Sequence, residues 1–435
     1  MNYKECVEYL INIPKFSKNK SPENTEKILY ALGKPEEKLK VIHVAGTNGK
    51  GSTCAFINSI LLKLNKDVGM FTSPHLVKIN ERIKINGKDI SDTQFLDTFL
   101  KVKGCIEELF GDNYIPTFFE YMFLIGITAF ADSNVEYAIF EVGLGGRLDA
   151  TNYIKKPKVS VITSISMDHM EILGDTIEKI AVEKAGIIKD NVPVVYYGQN
   201  PICKKLIDEN ANKHNADTIA IFKDDIKIVQ KENKVIDFYI TNMYDKYGLV
   251  SIPFSMEYQT INAYLAISAI EVILKSEEIQ VDDHIIHLIK EGLLETKWPG
   301  RMEEVSENVF IDGAHNYEGM EAFCKHVSEV SKQKKIYILF SVVKEKEYHE
   351  MMDLILEINN CGGFYVAPVK NSRALAVTDM GEYLRENSVV PVYMYNDLKT
   401  AYFQAKKALK TNEILFCTGS LYMVGELKNL EEEND

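Results

Sequence analysis

The sequence predicts an α/β protein built on a doubly wound, mostly parallel sheet, with a small antiparallel subregion and a second, smaller α/β domain. Three observations predict it. Apolar, strand-like runs alternate with helical patterns from residue 40 to residue 213, the rhythm of a parallel sheet with helices on both faces. The segment IKIVQKENKVIDFYI, 226–240, breaks that rhythm with two alternating runs around a polar turn, the pattern of an antiparallel hairpin. After TKWPGRME, which holds the only tryptophan, the strand and helix alternation resumes.

Two helices lead in, over residues 2–11 and about 22–33. KVIHVAG, 40–46, is the first strand, and 50–65 the helix behind it. EYAIFEVG, KVSVITSIS and VPVVYYG are the next strands, the last two followed by helices over 176–188 and 201–213. Residues 217–255 form the antiparallel subregion and 259–295 are helical. Pro299 and Gly300 punctuate the chain, so the domains are expected at 1–296 and 297–435. In the second, NVFIDGAHN, KIYILFSVV, GFYVAPV, VPVYMYND and EILFCTGS are strands separated by helix-length segments, a Rossmann-like arrangement.

Bulk properties exclude several classes. A chain of 435 residues exceeds what one core supports, and 46% hydrophobic with 26% charged residues is globular rather than disordered. The net charge of -13 argues against a nucleic-acid partner. Cys6, Cys54, Cys105, Cys203, Cys324, Cys361 and Cys417 form no C-x-x-C pair, which fits reduced thiols in the cytosol. MNYKECVEYLINIPKF lacks the make-up of a signal peptide, and no apolar run reaches about 18 residues. A cytoplasmic protein without a membrane partner is expected.

The first motif, AGTNGKGS at 45–52, runs from a strand into a glycine-rich turn and a helix. Backbone N–H groups and a helix amino end favour phosphate oxygens, and Lys50 can reach the terminal phosphates, so the domain is P-loop-type. The usual spacing G-x-x-x-x-G-K-[ST] is altered: Gly51 stands where a magnesium-binding hydroxyl normally follows the lysine. Glu141 ends an apolar strand, either as a solvated strand end or as the carboxylate that positions magnesium in many nucleotide hydrolases. It opens EVGLGGRLDATN, whose three glycines permit close backbone approach beside Arg147 and Asp149. Asp168 and His169 follow the next strand. His43 reads as a core histidine; His284 and His287 have helical spacing but no supporting ligands.

In GDTIEKIAVEKAGIIKD, Asp175 and Glu178 form a capping pattern, and Ile177, Ile180, Ala181 and Ile188 an apolar stripe. Lys184 falls on that stripe. A buried unpaired ammonium costs several kcal/mol, so Lys184 either snorkels to the edge or has its charge paired or chemically altered.

GTNGKGS, TSPHL with NERI after it, EVGLGGRLDATN, SMDHMEILGDTIEKIAVEKAGI, WPGRME and DGAHN occur in this order from about residue 40 onward. In order and approximate spacing they resemble the folylpolyglutamate synthases, including bifunctional dihydrofolate synthases, of the Mur ligase superfamily. The resemblance implies an ATP-dependent ligase that joins the γ-carboxylate of a folate, or the carboxylate of dihydropteroate, to L-glutamate through an acyl phosphate. It implies that Gly49, Lys50, Gly51 and Ser52 cradle the phosphates, that Asn262, Arg301 and Asp312 contact ATP, and that Ser73, Glu141 and His169 hold magnesium, two ions being expected. Phe119, Glu120, Leu148, Asp149 and Ala150 fall where the family binds folate. Lys184 matches a carbamylated lysine, and Lys50, Lys184 and His315 are the implied catalytic residues, with a solvated turn histidine the plainer reading of His315. Dihydropteroate contacts would fall around SKNKSPENT, 17–25. The family suggests a monomer. A Mur-type ligase with another carboxylate acceptor, or a P-loop kinase, are the alternatives, and Gly51 with GLGGRLDATN separates the folate group from the first.

Overall fold

The computed structural model describes residues 1–13, 22–232, 234–344 and 347–433. Most of SKNKSPENT, at 17–21, lies outside the described residues. The chain divides into two compact units, one of 1–166, 170–253 and 259–297, the other of 167–169, 254–258 and 298–435.

The first unit is organised by an eight-stranded sheet. Its strands are β1 (Lys40–Ala45), β2 (Val68–Phe71), β3 (Ile83–Ile85), β4 (Lys88–Asp89), β5 (Tyr137–Glu141), β6 (Val159–Ile162), β7 (Val194–Tyr197) and β8 (Thr218–Ile221), in the order β4-β3-β2-β5-β1-β6-β7-β8. From β2 to β8 neighbours run parallel, while β3 and β4 return antiparallel at one edge. Beyond Lys40 every residue of β1 is buried, as a central parallel strand covered on both faces requires. Val44 pairs with Glu141 of β5 and with Val161 of β6. The carboxyl ends of these three strands are therefore level, and the loops that follow them lie side by side.

On one face Phe71 and Phe140 meet Phe123 and Phe130 of the helix Phe118–Asp132, with Phe140 ring centroids 5.6 Å from both helix rings. That helix is buried on nearly every side because the helices Tyr3–Asn12 and Asp92–Phe110 cover it. A separate cluster joins Ala45, Ile162, Val194 and Tyr196 to Ile207 and Ala211 of the helix Pro201–Lys213. The helix behind the glycine-rich turn, Lys50–Lys63, packs on Asp283–Leu294, where Ser59 Oγ donates to the Gly292 carbonyl at 2.6 Å.

The antiparallel subregion consists of β9 (Ile226–Glu232), β10 (Val235–Ile240) and β11 (Val250–Ile252). It is smaller than the sequence suggested. Thr218–Ile221, expected within it, pairs parallel with β7 and closes the large sheet. A short apolar run bounded by polar residues reads alike as an edge or a hairpin strand, and tertiary pairing decides between them. The strand β2 was not singled out at all, since VGMF is too short to show periodicity.

The second unit holds β12 (Glu303–Ser306), β13 (Val309–Ile311), β14 (Lys335–Phe340), β15 (Cys361–Val366), β16 (Val392–Met394) and β17 (Glu413–Thr418) in the order β12-β13-β17-β14-β15-β16. All neighbours are parallel except β12 with β13. Its core gathers Ile336, Ile338, Phe340, Phe364, Val366 and Phe416 with Phe323 and Met352 from flanking helices. All seven cysteines are free, and among the described residues no helix is long and apolar enough to cross a membrane.

Candidate functional site

The loop after β1 is shaped for close approach. Gly46 and Gly49 have φ of +146° and +86°, and a methyl group on either would lie 1.8 Å from Thr163 Oγ1 or 2.3 Å from Asn262 Oδ1. Neither space nor backbone conformation admits another residue. Gly49 caps the helix Lys50–Lys63 without a side-chain hydrogen bond, so its first N–H groups are directed at the loop's concavity. The β6 loop braces this turn: Thr47 N donates to the Ser164 carbonyl at 2.6 Å, and Thr163 Oγ1 to that of Asn48 at 2.7 Å. Lys50 Nζ curls back onto the carbonyls of Gly46 and Thr47, at 3.1 and 2.9 Å. Ser52 is buried, and Gln259 Nε2 donates to its hydroxyl at 3.2 Å while Asn262 Nδ2 donates to Gln259 Oε1 at 2.9 Å. Gln259 had not been assigned a role; it shares a helix face with Asn262, three residues on.

Glu141 is 4% exposed at the end of β5, and its Oε2 accepts from Ser73 N at 2.8 Å. Ser73 and Glu141 are thus brought together, because β2 and β5 are adjacent parallel strands. The segment after Ser73 is organised by Glu81 of NERI, whose carboxylate accepts from the N–H groups of Leu76, Val77 and Lys78 at 2.7, 2.9 and 2.6 Å. Next to it Arg82 Nε donates to His75 Nδ1 at 2.8 Å. Glu81, Arg82 and His75 carry no role in the motifs as read from the sequence; the signal for Glu81 is a carboxylate three to five residues after a turn.

Lys184 is 3% exposed. Snorkelling, which the stripe alone allowed, is therefore overturned: the helix Ile177–Ala185 turns that face to the sheet, and Lys184 Nζ donates to the Gly46 carbonyl at 2.7 Å. The glycine loop lies against the same helix. A methyl group on Gly146 would come within 2.6 Å of the Glu183 carbonyl oxygen and 3.1 Å of Lys184 Cα, and Arg147 both donates N–H to that carbonyl at 2.8 Å and pairs with Glu183 Oε1 at 2.7 Å.

Of the residues expected at the folate, Leu148 is 60% exposed, whereas Ala150 is buried. The Phe119 ring stands edge-on to Phe71 at 5.7 Å and presses on Gly143. Glu120 is turned inward: its Oε2 accepts from Thr117 N at 2.7 Å and Thr117 Oγ1 at 2.8 Å, closing a capping box. Asp149 is buried too, with four donors from its own loop. Burial raises its pKa from the usual carboxylate value, and those hydrogen bonds oppose the rise.

In the second unit, Asp312 is 3% exposed and accepts from Met302 N at 2.9 Å and Ala314 N at 2.8 Å. Burial pushes its pKa up, and the Arg301 guanidinium is the largest opposing influence. Arg301 Nη1 donates to the Gly300 carbonyl at 3.2 Å. His315 Nδ1 donates to the Gly313 carbonyl at 2.7 Å, so in the neutral ring Nε2 carries the lone pair. His169 has φ +52°, and its N–H donates to Asp168 Oδ1 at 2.8 Å, while Asn316 Nδ2 donates to Asp168 Oδ2 at 3.2 Å. His169 clusters with this unit, Ser73 and Glu141 with the other.

A nucleotide's phosphates fit the loop after β1: its glycines let the backbone pass close against Thr163 and Asn262, and a 14-residue helix begins there with Lys50 at its first position. Among the described residues no group of three or more His, Cys, Asp or Glu side chains is placed to hold a metal. Magnesium takes one or two protein oxygens and completes its shell with phosphates and water. The Glu141 carboxylate, next to Ser73, has the oxygen chemistry such a site would use.

Two family models match the chain: the Mur ligase middle domain over residues 44–270 and the Mur ligase, glutamate ligase domain, over residues 300–421. The dihydrofolate synthase/folylpolyglutamate synthase of Bacillus subtilis (strain 168) is 34% identical over 436 residues, spanning 98% of both chains. The folylpolyglutamate synthase of Lacticaseibacillus casei is 30% identical over 438 residues, again spanning 98% of both. Among solved structures, Mycobacterium tuberculosis folylpolyglutamate synthase complexed with ADP and AMPPCP superposes with a TM-score of 0.86 at 27% identity, over 99% of this chain and 98% of that one. E. coli FolC in complex with DHPP and ADP gives 0.84 at 25% identity, over 100% and 98%.

Proposed function

The chain belongs to the folylpolyglutamate synthase family of Mur ligases, and on that premise we propose that it joins L-glutamate to the γ-carboxylate of a folate, with dihydropteroate as a second acceptor. The observation that carries this reading is the phosphate cradle at the end of β1 with Glu141 on one neighbouring strand and Lys184 donating into the cradle itself.

A carboxylate does not condense with an amine until one oxygen becomes a leaving group. ATP is the substrate that supplies it: the carboxylate oxygen attacks the γ-phosphorus, the bond to ADP breaks, and an acyl phosphate forms. The glutamate nitrogen then attacks the acyl carbon and phosphate departs. Within this scheme Gly49, Gly51 and Ser52 present N–H groups to the phosphates, and Lys50 leaves its resting carbonyls to follow the terminal one. Asn262, Arg301 and Asp312 are assigned to ATP. Ser73, Glu141 and His169 would hold magnesium, two ions in all, whose charge offsets that of the phosphates. Lys184 is assigned as a carbamate, formed when the neutral amine takes up CO2 and releases a proton; its place beside the Gly46 carbonyl supports a group that faces the phosphate loop. His315, with Nε2 as its lone-pair nitrogen, suits proton removal from the glutamate ammonium.

Leu148, exposed on the glycine loop, and Phe119 are assigned to the folate; Glu120, Asp149 and Ala150 support them from within. The protein acts as a cytoplasmic monomer on small molecules in this reading, with neither nucleic acid nor membrane as partner. The test is to incubate purified protein with ATP, magnesium and labelled glutamate, offering tetrahydrofolate and dihydropteroate separately. Labelled product with both supports the dual activity, product with one restricts it, and none with either refutes the folate reading.

A further inference from the structure

We propose that His43, in the middle of β1, is a positioning residue for the folate loop, acting through Thr151 and Asp149. This rests on the assignment of residues 148–150 to the folate. Asp149 Oδ2 accepts from the N–H groups of Gly143 and Leu144 at 3.1 and 3.0 Å, and Oδ1 from Thr151 N and Oγ1 at 2.9 and 2.6 Å. A carboxylate offers about four lone-pair sites, and all are met by the loop itself. Three of the donors are backbone N–H groups, and the Thr151 hydroxyl is the fourth, giving its hydrogen to Oδ1.

That fixes the remaining contact. His43 Nε2 lies 2.8 Å from Thr151 Oγ1; with the hydroxyl hydrogen committed to Asp149, the ring nitrogen is the donor. The proton therefore sits on Nε2, and Nδ1, fully buried, has no protein partner among the described residues. The relay runs from His43 Nε2–H through the Thr151 hydroxyl to Asp149, and from its other oxygen to the backbone at Gly143 and Leu144. An aliphatic side chain would fill the same core position without leaving a ring nitrogen unmatched. What the imidazole adds is a directed hydrogen bond tying the strand to both ends of the loop that displays Leu148.

The loop is gripped from a second side by Arg147 N on the Glu183 carbonyl, next to Lys184. Losing the relay leaves that contact intact and frees the Leu148 end, so binding of the folate suffers before binding of ATP. The test uses Thr151→Val and His43→Leu, which break the relay, against Thr151→Ser and His43→Gln, which keep a hydroxyl or an amide donor in place. Steady-state kinetics with tetrahydrofolate, ATP and labelled glutamate should show KM for folate raised about tenfold or more in the first pair, with KM for ATP within about twofold. The second pair should stay within about threefold of the unmodified protein in both.

Equal folate KM in Thr151→Val and Thr151→Ser overturns the proposal. So does a parallel rise in both KM values with a falling Tm, which marks a merely structural role. Should His43→Leu not fold, the two Thr151 variants decide. An unmodified protein that makes no product from folate refutes the folate assignment instead. The relay is then read by amide exchange at Gly143 and Leu144: faster in Thr151→Val than in Thr151→Ser supports it, and equal rates overturn it.

Discussion

Lys184 Nζ donates to the carbonyl oxygen of Gly46 at 2.7 Å, across 138 residues of sequence. Lys50 donates to the same oxygen at 3.1 Å. Two cations held on one dipole repel each other; converting one to a carbamate replaces that repulsion by attraction. It also places a negative oxygen donor beside the phosphate cradle.

Lys184→Ala is accordingly expected to lower kcat about 100-fold, with partial recovery on adding short carboxylates such as acetate. ADP release measured with and without them checks both halves. An unimpaired variant refutes the role.

Gly49→Ala forces a residue at φ +86° and a methyl group against Asn262. Strain of about 1–3 kcal/mol in the loop that binds phosphate should raise the ATP Kd about tenfold or more. Calorimetric titration with ATP measures it, and a thermal melt separates it from unfolding.

Glu141→Gln keeps an oxygen for Ser73 N but removes the charge. The magnesium concentration for half-maximal activity should rise about tenfold or more, with the melt little changed. A magnesium titration that superposes on the unmodified protein's would remove Glu141 from the metal site.

Asp312→Asn leaves one acceptor oxygen for two N–H groups, those of Met302 and Ala314. One buried N–H then faces an amide NH2, a loss of about 1–3 kcal/mol. Urea unfolding of the second unit's signal should show it, alongside a raised KM for ATP.

Stability should fall with acid below about pH 6.5. Burial, with the Lys189 charge second, pushes His43 down from 6.5 to about 3, and burial, with Arg82 second, does the same to His75. Above the unfolded value neither state takes a proton. Below it the unfolded chain binds one that the folded chain refuses, so stability is lost as pH falls from 6.5 toward about 3, by about 1.4 kcal/mol per unit for each histidine. Denaturant unfolding at about pH 7 and about pH 5 should lose less in His43→Gln than in the unmodified protein.

The sequence made the two sheets, the phosphate turn and the oddity of Lys184 legible, because each is a local pattern: apolar runs, a glycine spacing, a cation on an apolar stripe. It hid what depends on neighbours far along the chain. Gln259 reaches Ser52 across 207 residues, and Ser73 meets Glu141 only because β2 lies next to β5. Thr117-Phe118-Phe119-Glu120 has the spacing of a capping box, legible in the sequence, and its hydrogen bonds form one. His43 was read as core, and burial agrees, but burial alone says nothing of where its one proton points.

β1 ends in the phosphate cradle and, at its centre, touches Thr151 through His43. On the folate assignment proposed above, the nucleotide loop and the folate loop would both take their coordinates from one six-residue strand. A displacement of β1 carries both along and preserves their spacing, so the strand acts as a common datum for the two ligands. A change of acceptor that leaves this datum in place is therefore expected to come from side chains it does not fix, such as the exposed Leu148.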